Sequence, residues 1–198
     1  MGRPSNTAQR KQEIVDALLH VMAERGYEKA SIQSIAKEAG LAPGLIHYHF
    51  KTKQDILMAL VNWIASSATE RLEHMNKKVS DPWDKLTAFI NARLATGETQ
   101  MPEVVSAWVV IAGESIRQPE IKKVYQGLIE RQLELLNELI ANVWEGKSIS
   151  SNEVINLSAI VLAAMEGAFQ LSATASDVMP RNYAAESLLE LIKNSIGK

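Results

Sequence analysis

The sequence predicts an all-α fold of about nine helices, and three observations carry that prediction. Apolar residues recur at steps of three and four along most of the chain, which is the period of one face of a helix. No alternation of apolar and polar residues persists, so strands are not expected. Prolines and capping residues stand where helices would open: Pro43, Pro82 behind Asp81, Pro102, Pro119, Pro180 just before the last segment, and Ser150 with Glu153 at capping-box spacing. No internal period of about 20 to 50 residues appears, which excludes a helical repeat array.

Taken in order, the opening MGRPSNT has no periodicity and reads as a flexible arm. A first helix then carries Ile14, Ala17, Leu18, Val21 and Met22 on one stripe and ends at Gly26. From Ser31 to Lys53, SIQSIAKEAGLAPGLIHYHFKTK holds two short helices about a tight turn at Gly40, the helix-turn-helix pattern. Ser31 is a good N-cap, and Ile32, Ile35, Ala36 and Ala39 share one face of the first of these helices. Gly40 accepts the left-handed backbone that ends it, and Leu41 drops toward the core. The second helix opens at Pro43 and turns Ile46 and Phe50 inward, leaving His47, Tyr48 and His49 on its other faces. His47 and His49, two apart on a helix, point in different directions, so no shared metal is expected. Thr52 and Asp55 form a T-x-x-D cap for a long helix through Ile56, Leu57, Leu60, Val61, Trp63 and Ile64 to about Lys77. Further helices are expected near 82–97, 102–117, 119–145, 151–174 and 182–196.

The run IAKEAGLAPGLIHYHFKTKQDIL resembles the DNA-binding helix-turn-helix of the tetracycline-repressor (TetR) family of bacterial transcription regulators. The likeness covers roughly residues 8 to 60 strongly, and beyond them it rests on length and helix layout. It implies a recognition helix from Pro43 to Phe50 that offers Pro43, Gly44, Leu45, His47, Tyr48 and His49 to DNA. Ser31, Gln33 and Ser34 on the preceding helix and Lys51 and Lys53 beyond it are further DNA-facing positions. Two residues depart from the family's usual pattern, Ala42 where Ser is commonest and Leu45 where Thr is frequent. Ala42 forgoes a capping bond worth roughly 1 kcal/mol, and Leu45 trades a hydroxyl for contact with a thymine methyl. Arg3, backed by Arg10 and Lys11, is expected to reach phosphate or the adjacent minor groove. Lys51 and Lys53 are expected to anchor phosphates, because a single flexible ammonium positions more than it specifies.

Charge distribution agrees with a DNA-reading head at residues 1–53 and a regulatory body at residues 54–198. The chain carries a net −2, but its first 53 residues hold eight basic against five acidic side chains, a net +3, which leaves −5 for the remainder. There is no cysteine, so disulfides, thiolate metal sites and cysteine nucleophiles are excluded. The longest apolar run, Ala159 to Met165, falls well short of the roughly 20 residues that span a bilayer, and no leader opens the chain. A cytoplasmic protein with no membrane partner is the expectation. The sequence contains no G-x-S-x-G, no phosphate-cradling glycine loop and no H-E-x-x-H, so neither an enzyme nor a cofactor is expected.

In the body, LSAIVLAAMEGAFQL is apolar nearly all round and must be covered on more than one side. The resemblance implies that the last two helices of each subunit form a four-helix homodimer interface, with Ala163, Ala164, Gly167 and Ala168 small enough for close approach. Leu188, Leu189, Ile192 and Ile196 supply a matching stripe. Trp63, Trp83, Phe89, Met101, Trp108, Met165 and Phe169 are candidates to line an effector site, alternatively plain core. Arg93, Glu114 and Glu166 stand in apolar runs, where an unpaired charge costs several kcal/mol, so they pair internally, reach solvent or await a ligand. A carboxylate beside tryptophans would suit a cationic or amine-bearing effector, and the body is similar to the choline-responsive repressors of the family. The resulting expectation is a homodimeric repressor released from a palindromic double-stranded operator by a small-molecule effector. The alternatives are a ligand-independent regulator or activator of the same fold, or a helical dimeric carrier that no longer reads DNA.

Overall fold

The computed structural model describes residues 6–76, 79–94, 102–146 and 150–196. Arg3, Met101 and the side chain of Ile196 lie outside the described residues. Among the described residues the chain forms nine helices and no strand: α1 (Asn6–Arg25), α2 (Ile32–Glu38), α3 (Pro43–His49), α4 (Lys53–Asn76), α5 (Pro82–Leu94), α6 (Pro102–Ser115), α7 (Pro119–Val143), α8 (Ser151–Thr174) and α9 (Tyr183–Ile196).

The helix starts follow local chemistry. Ser31 accepts from the Ser34 N–H while the Ser34 hydroxyl accepts from the Ser31 N–H, which satisfies two donors that a helix N-terminus otherwise leaves orphaned. Thr52 and Asp55 make the same reciprocal pair at 2.9 and 3.1 Å, and Ser150 and Glu153 do so at the head of α8. At that last cap the Ser150 N–H and hydroxyl hold the Glu153 carboxyl below its ordinary range. Asp81 accepts from the Asp84 N–H one turn into α5. Pro43, Pro82, Pro102 and Pro119 are each the first residue of a helix, where the missing N–H costs nothing. Pro180 differs, since α9 begins only at Tyr183, after Asn182 in left-handed backbone.

Packing divides the chain into two compact units, Met1–Ile64 with Pro102–Tyr125, and Ala65–Met101 with Gln126–Lys198. In the first unit α1 contacts α2 and α3, as its predicted stripe requires, but also α6. Its buried arc is accordingly wider than that stripe and takes in Val15 and Leu19 as well. Ile56, Leu57, Leu60, Val61 and Ile64 bury the first half of α4. The core of the second unit joins Leu86, Phe89 and Ile90 of α5, Leu136, Leu139 and Ile140 of α7, Val161, Leu162 and Met165 of α8, and Leu188 and Ile192 of α9. Phe89, 1% exposed, is its largest fully buried side chain. Phe89→Ala should therefore cost about 3–5 kcal/mol, read as a lower urea midpoint at unchanged slope in an unfolding curve followed by circular dichroism.

Candidate functional site

The turn between α2 and α3 is closed by the backbone. Gly40, at φ +65°, lets its own N–H bond the Lys37 carbonyl at 3.2 Å while the Leu41 N–H returns to the Ala36 carbonyl at 2.9 Å. This is the Schellman pattern, in which a left-handed glycine satisfies the last carbonyls of a helix. A side chain at residue 40 would be strained by that φ. The chain then re-enters helix at Pro43 with Ala42 as an N-cap that makes no side-chain bond.

Helix α3 buries one side chain, Ile46, and Phe50 just beyond it anchors the far end. Pro43, Gly44, Leu45, His47 and Tyr48 all face outward, with Tyr48 77% exposed and braced edge-on by the His49 ring 5.0 Å away. An exposed tyrosine on a short helix whose opposite face is locked into the core is a presented side chain, able to donate to phosphate or stack on a sugar. Gln33 is exposed on α2, whereas the Ser31 and Ser34 hydroxyls are already engaged with each other in the capping box. Lys51 is exposed. Of the basic residues ahead of the motif, Arg10 pairs with Glu13 at 2.6 Å and the Lys11 ammonium lies 5.7 Å from the Phe50 ring centroid.

Lys53 is placed differently from the other DNA-facing candidates. Its ammonium donates to the Tyr27 carbonyl at 2.9 Å, approaches the Glu28 carbonyl at 3.5 Å, and sits 4.1 Å from the centroid of the buried Tyr27 ring. Burial lowers its pKa, and the Glu114 and Glu28 carboxylates act against that shift. The Tyr27 phenol is pushed up to about 12, first by burial and then by Glu114. Glu114, 9% exposed on α6, accepts from the Gln118 amide at 2.6 Å.

Apart from Trp83 and Met101, the effector-site candidates fall into two groups. Trp63, Trp108 and Glu114 belong to the first unit, where Trp108 packs on Tyr125 with ring centroids 5.1 Å apart. Phe89, Arg93, Met165, Glu166 and Phe169 belong to the second. There Phe89, Met165 and Phe169 share one apolar cluster, and the Arg93 guanidinium lies 5.0 Å from the Phe89 ring centroid. Burial pulls Arg93 down to about 10, Glu166 opposes the shift and Arg71 adds to it, so Arg93 and Glu166 stand in each other's field. Among the described residues no group of His, Asp or Glu is arranged to hold a metal ion.

Residues 14–60 match the family described as bacterial regulatory proteins, tetR family. That stretch of the chain is of the TetR family. It is 32% identical over 122 residues to the fatty acid metabolism regulator protein of Bacillus subtilis, covering 60% of this chain and 63% of that protein. It is 26% identical over 115 residues to the transcriptional regulator BetI of Rhizobium meliloti, covering 58% and 56%. The chain thus spans about three-fifths of the length of the curated relatives it matches. Its fold is shared with a transcriptional regulator of Saccharomonospora viridis crystallised with choline, at TM-score 0.80, 21% identity and 96% of both chains. The fatty acid degradation regulator FadR of Bacillus halodurans superposes at TM-score 0.75 with 18% identity, over 97% of this chain and 96% of that one.

The Tyr27–Lys53–Glu114 cluster was missed in the sequence because its members are scattered along the chain. Because the Tyr27 phenol rises from an ordinary 10.0 to about 12 on folding, its contribution to stability is complete below pH 10 and lost between about pH 10 and about pH 12. Tyr27→Phe should flatten that stretch of the stability–pH curve and remove a tyrosinate step near pH 12 from the ultraviolet titration.

Proposed function

We propose that the protein is a homodimeric, DNA-binding transcriptional repressor that a small-molecule effector releases from its operator. The observation that carries this reading is the outward face of α3, which buries Ile46 alone and holds Pro43, Gly44, Leu45, His47 and Tyr48 clear of the core. Each α3 enters a major groove, and two heads related by a twofold axis read half-sites about 34–36 Å apart or a multiple of it. His47, Tyr48 and His49 supply contacts at the groove, Leu45 meets a thymine methyl, Gln33 reads from α2, and Arg3 and Lys51 neutralise phosphate.

The dimer is supported by what α8 leaves uncovered. Val154, Ser158, Val161, Leu162 and Met165 are buried within the chain, while Ile155 and Ile160 are 52% and 64% exposed and Ala159, Ala163, Ala164 and Gly167 lie open beside them. Leu191 of α9 is exposed as well. A stripe of this kind suits a self-complementary interface in which small residues let two helices approach closely. The effector sits among Phe89, Arg93, Met165, Glu166 and Phe169, where the Arg93 and Glu166 charges supply a polar handle beside an apolar cluster. It induces by binding the released conformation more tightly than the operator-bound one. Its likeness to bacterial transcription regulators supports a cytoplasmic location.

Fluorescence anisotropy with random-sequence duplex and with DNA selected by the protein from a random library tests the central reading. Tight, steeply salt-dependent binding that prefers the selected duplex is expected, and Tyr48→Ala should weaken it at least tenfold, about 1.4 kcal/mol, with the dimer intact. Absence of salt-dependent binding to either duplex would replace this reading with that of a helical carrier. Ile160→Glu should leave the helix content unchanged and convert the dimer to monomer in light scattering, whereas a persisting dimer would exclude the α8 face.

A further inference from the structure

The cluster around Lys53 points to a function for this lysine other than holding DNA. The Tyr27 carbonyl accepts from two donors, the Ala30 N–H at 3.1 Å and the Lys53 ammonium at 2.9 Å. One of these bonds folds the α1–α2 loop on itself; the other ties that loop to the first residue of α4. The loop ends at Ser31, the N-cap of α2, so its position fixes where the helix-turn-helix begins. Lys53 thereby joins the segment entering the motif to the helix leaving it. Its ammonium is spent on backbone carbonyls and on the face of a buried ring, where a cation–π contact gains from partial desolvation.

Glu114 completes the arrangement from α6. Its carboxylate is turned into the same unit, held by Gln118, and acts electrostatically on both Tyr27 and Lys53. At the surface, Arg117 follows on to Glu28 at 3.2 Å and Gln54 to Glu120 at 3.2 Å, so the α6–α7 corner touches both the loop and the start of α4. Exposed pairs of this kind are individually worth little, which leaves the buried members to set the geometry.

We infer that Lys53 and Glu114 are positioning residues for DNA binding: Lys53 clamps the α1–α2 loop to α4, the buried Glu114 supports that seat from α6, and neither touches DNA or effector. The inference rests on the DNA-binding reading for its consequence, but its geometry can be read without DNA. The test compares the full-length protein with Lys53→Met, Lys53→Arg and Glu114→Gln, using Lys51→Met as a phosphate-contact control. Amide hydrogen exchange over residues 26–34 and binding to a random-sequence duplex across a salt series are measured for each.

A phosphate ligand lost from both heads lowers the salt slope by about two, at about 0.9 per contact, and this is expected of Lys51→Met. Lys53→Met is expected to keep the wild-type slope, to lose affinity about tenfold, and to exchange at least tenfold faster over residues 26–34 than elsewhere. Lys53→Arg, whose guanidinium still donates to the Tyr27 carbonyl, should restore both readouts. Glu114→Gln should accelerate the same amides and weaken binding, although removal of a negative charge would by itself strengthen attachment to DNA. A reduced slope in Lys53→Met with unchanged exchange, or tighter DNA binding by Glu114→Gln, overturns the inference. If Lys53→Met does not fold, Glu114→Gln decides. If the wild-type protein binds no duplex, the DNA-binding reading falls while the exchange measurement still decides the clamp.

Discussion

A seven-residue helix has no stability of its own in water, because nucleating the first turn costs more than so few hydrogen bonds return. Most of the side chains proposed to meet a DNA groove are carried on such a helix. The head is therefore built to hold α3 from outside. Ile46 and Phe50 fix it to the core, the Gly40 turn fixes it to α2, and the Thr52–Asp55 cap starts α4 directly behind it. Side chains on its outward face are then free to be chosen for recognition, since none is needed to keep the helix in place. Ala42 and Leu45, the two departures from the family's common pattern, are tolerable on the same ground: tertiary anchoring replaces what the missing cap would have given.

The features legible in the sequence were those written over three or four neighbouring residues. Capping boxes, first-turn prolines and the left-handed Gly40 each encode a helix boundary through bonds within one turn, and they located most starts to within a residue. Helix ends were less sharp. The corner after α6 closes early because the Ile116 and Arg117 N–H groups return to the Gly113 and Glu114 carbonyls, a turn that leaves no trace in apolar spacing. Apolar spacing identifies the stripe a helix buries but not the neighbour that covers it. The stripe on α1 was visible, whereas the wider arc that appears once α6 arrives was not.

The same limit explains the charged residues. Lys53 stands in the sequence beside Lys51, and by local reasoning both are basic residues at the end of a DNA-binding motif. What separates them is a carbonyl 26 residues upstream that Lys53 reaches and Lys51 does not. Glu114 was grouped with Arg93 and Glu166 because all three interrupt apolar runs, yet it shares a unit with Tyr27 and Lys53 while the other two share the opposite one. An isolated charge in an apolar run announces that a partner is required, and it says nothing of which helix provides that partner. The nearly all-apolar α8 was the reverse case, since its composition already demanded a second covered face and the chain alone covers only one.

The path of the chain through its two compact units has a consequence for how such a protein can be taken apart. The backbone passes from the first unit to the second within α4, after Ile64, and again within α7, after Tyr125, both times inside an uninterrupted helix. The first unit is completed only by α6, which enters from the middle of the sequence. A fragment ending after α4 would keep the whole helix-turn-helix and yet lack the helix that packs on α1 and carries the buried Glu114. On this packing the helix-turn-helix is not a compact unit by itself. Exchange of such heads between proteins, by recombination or by a protein engineer, has to carry α6 and the first turns of α7 with them or rebuild that face of α1.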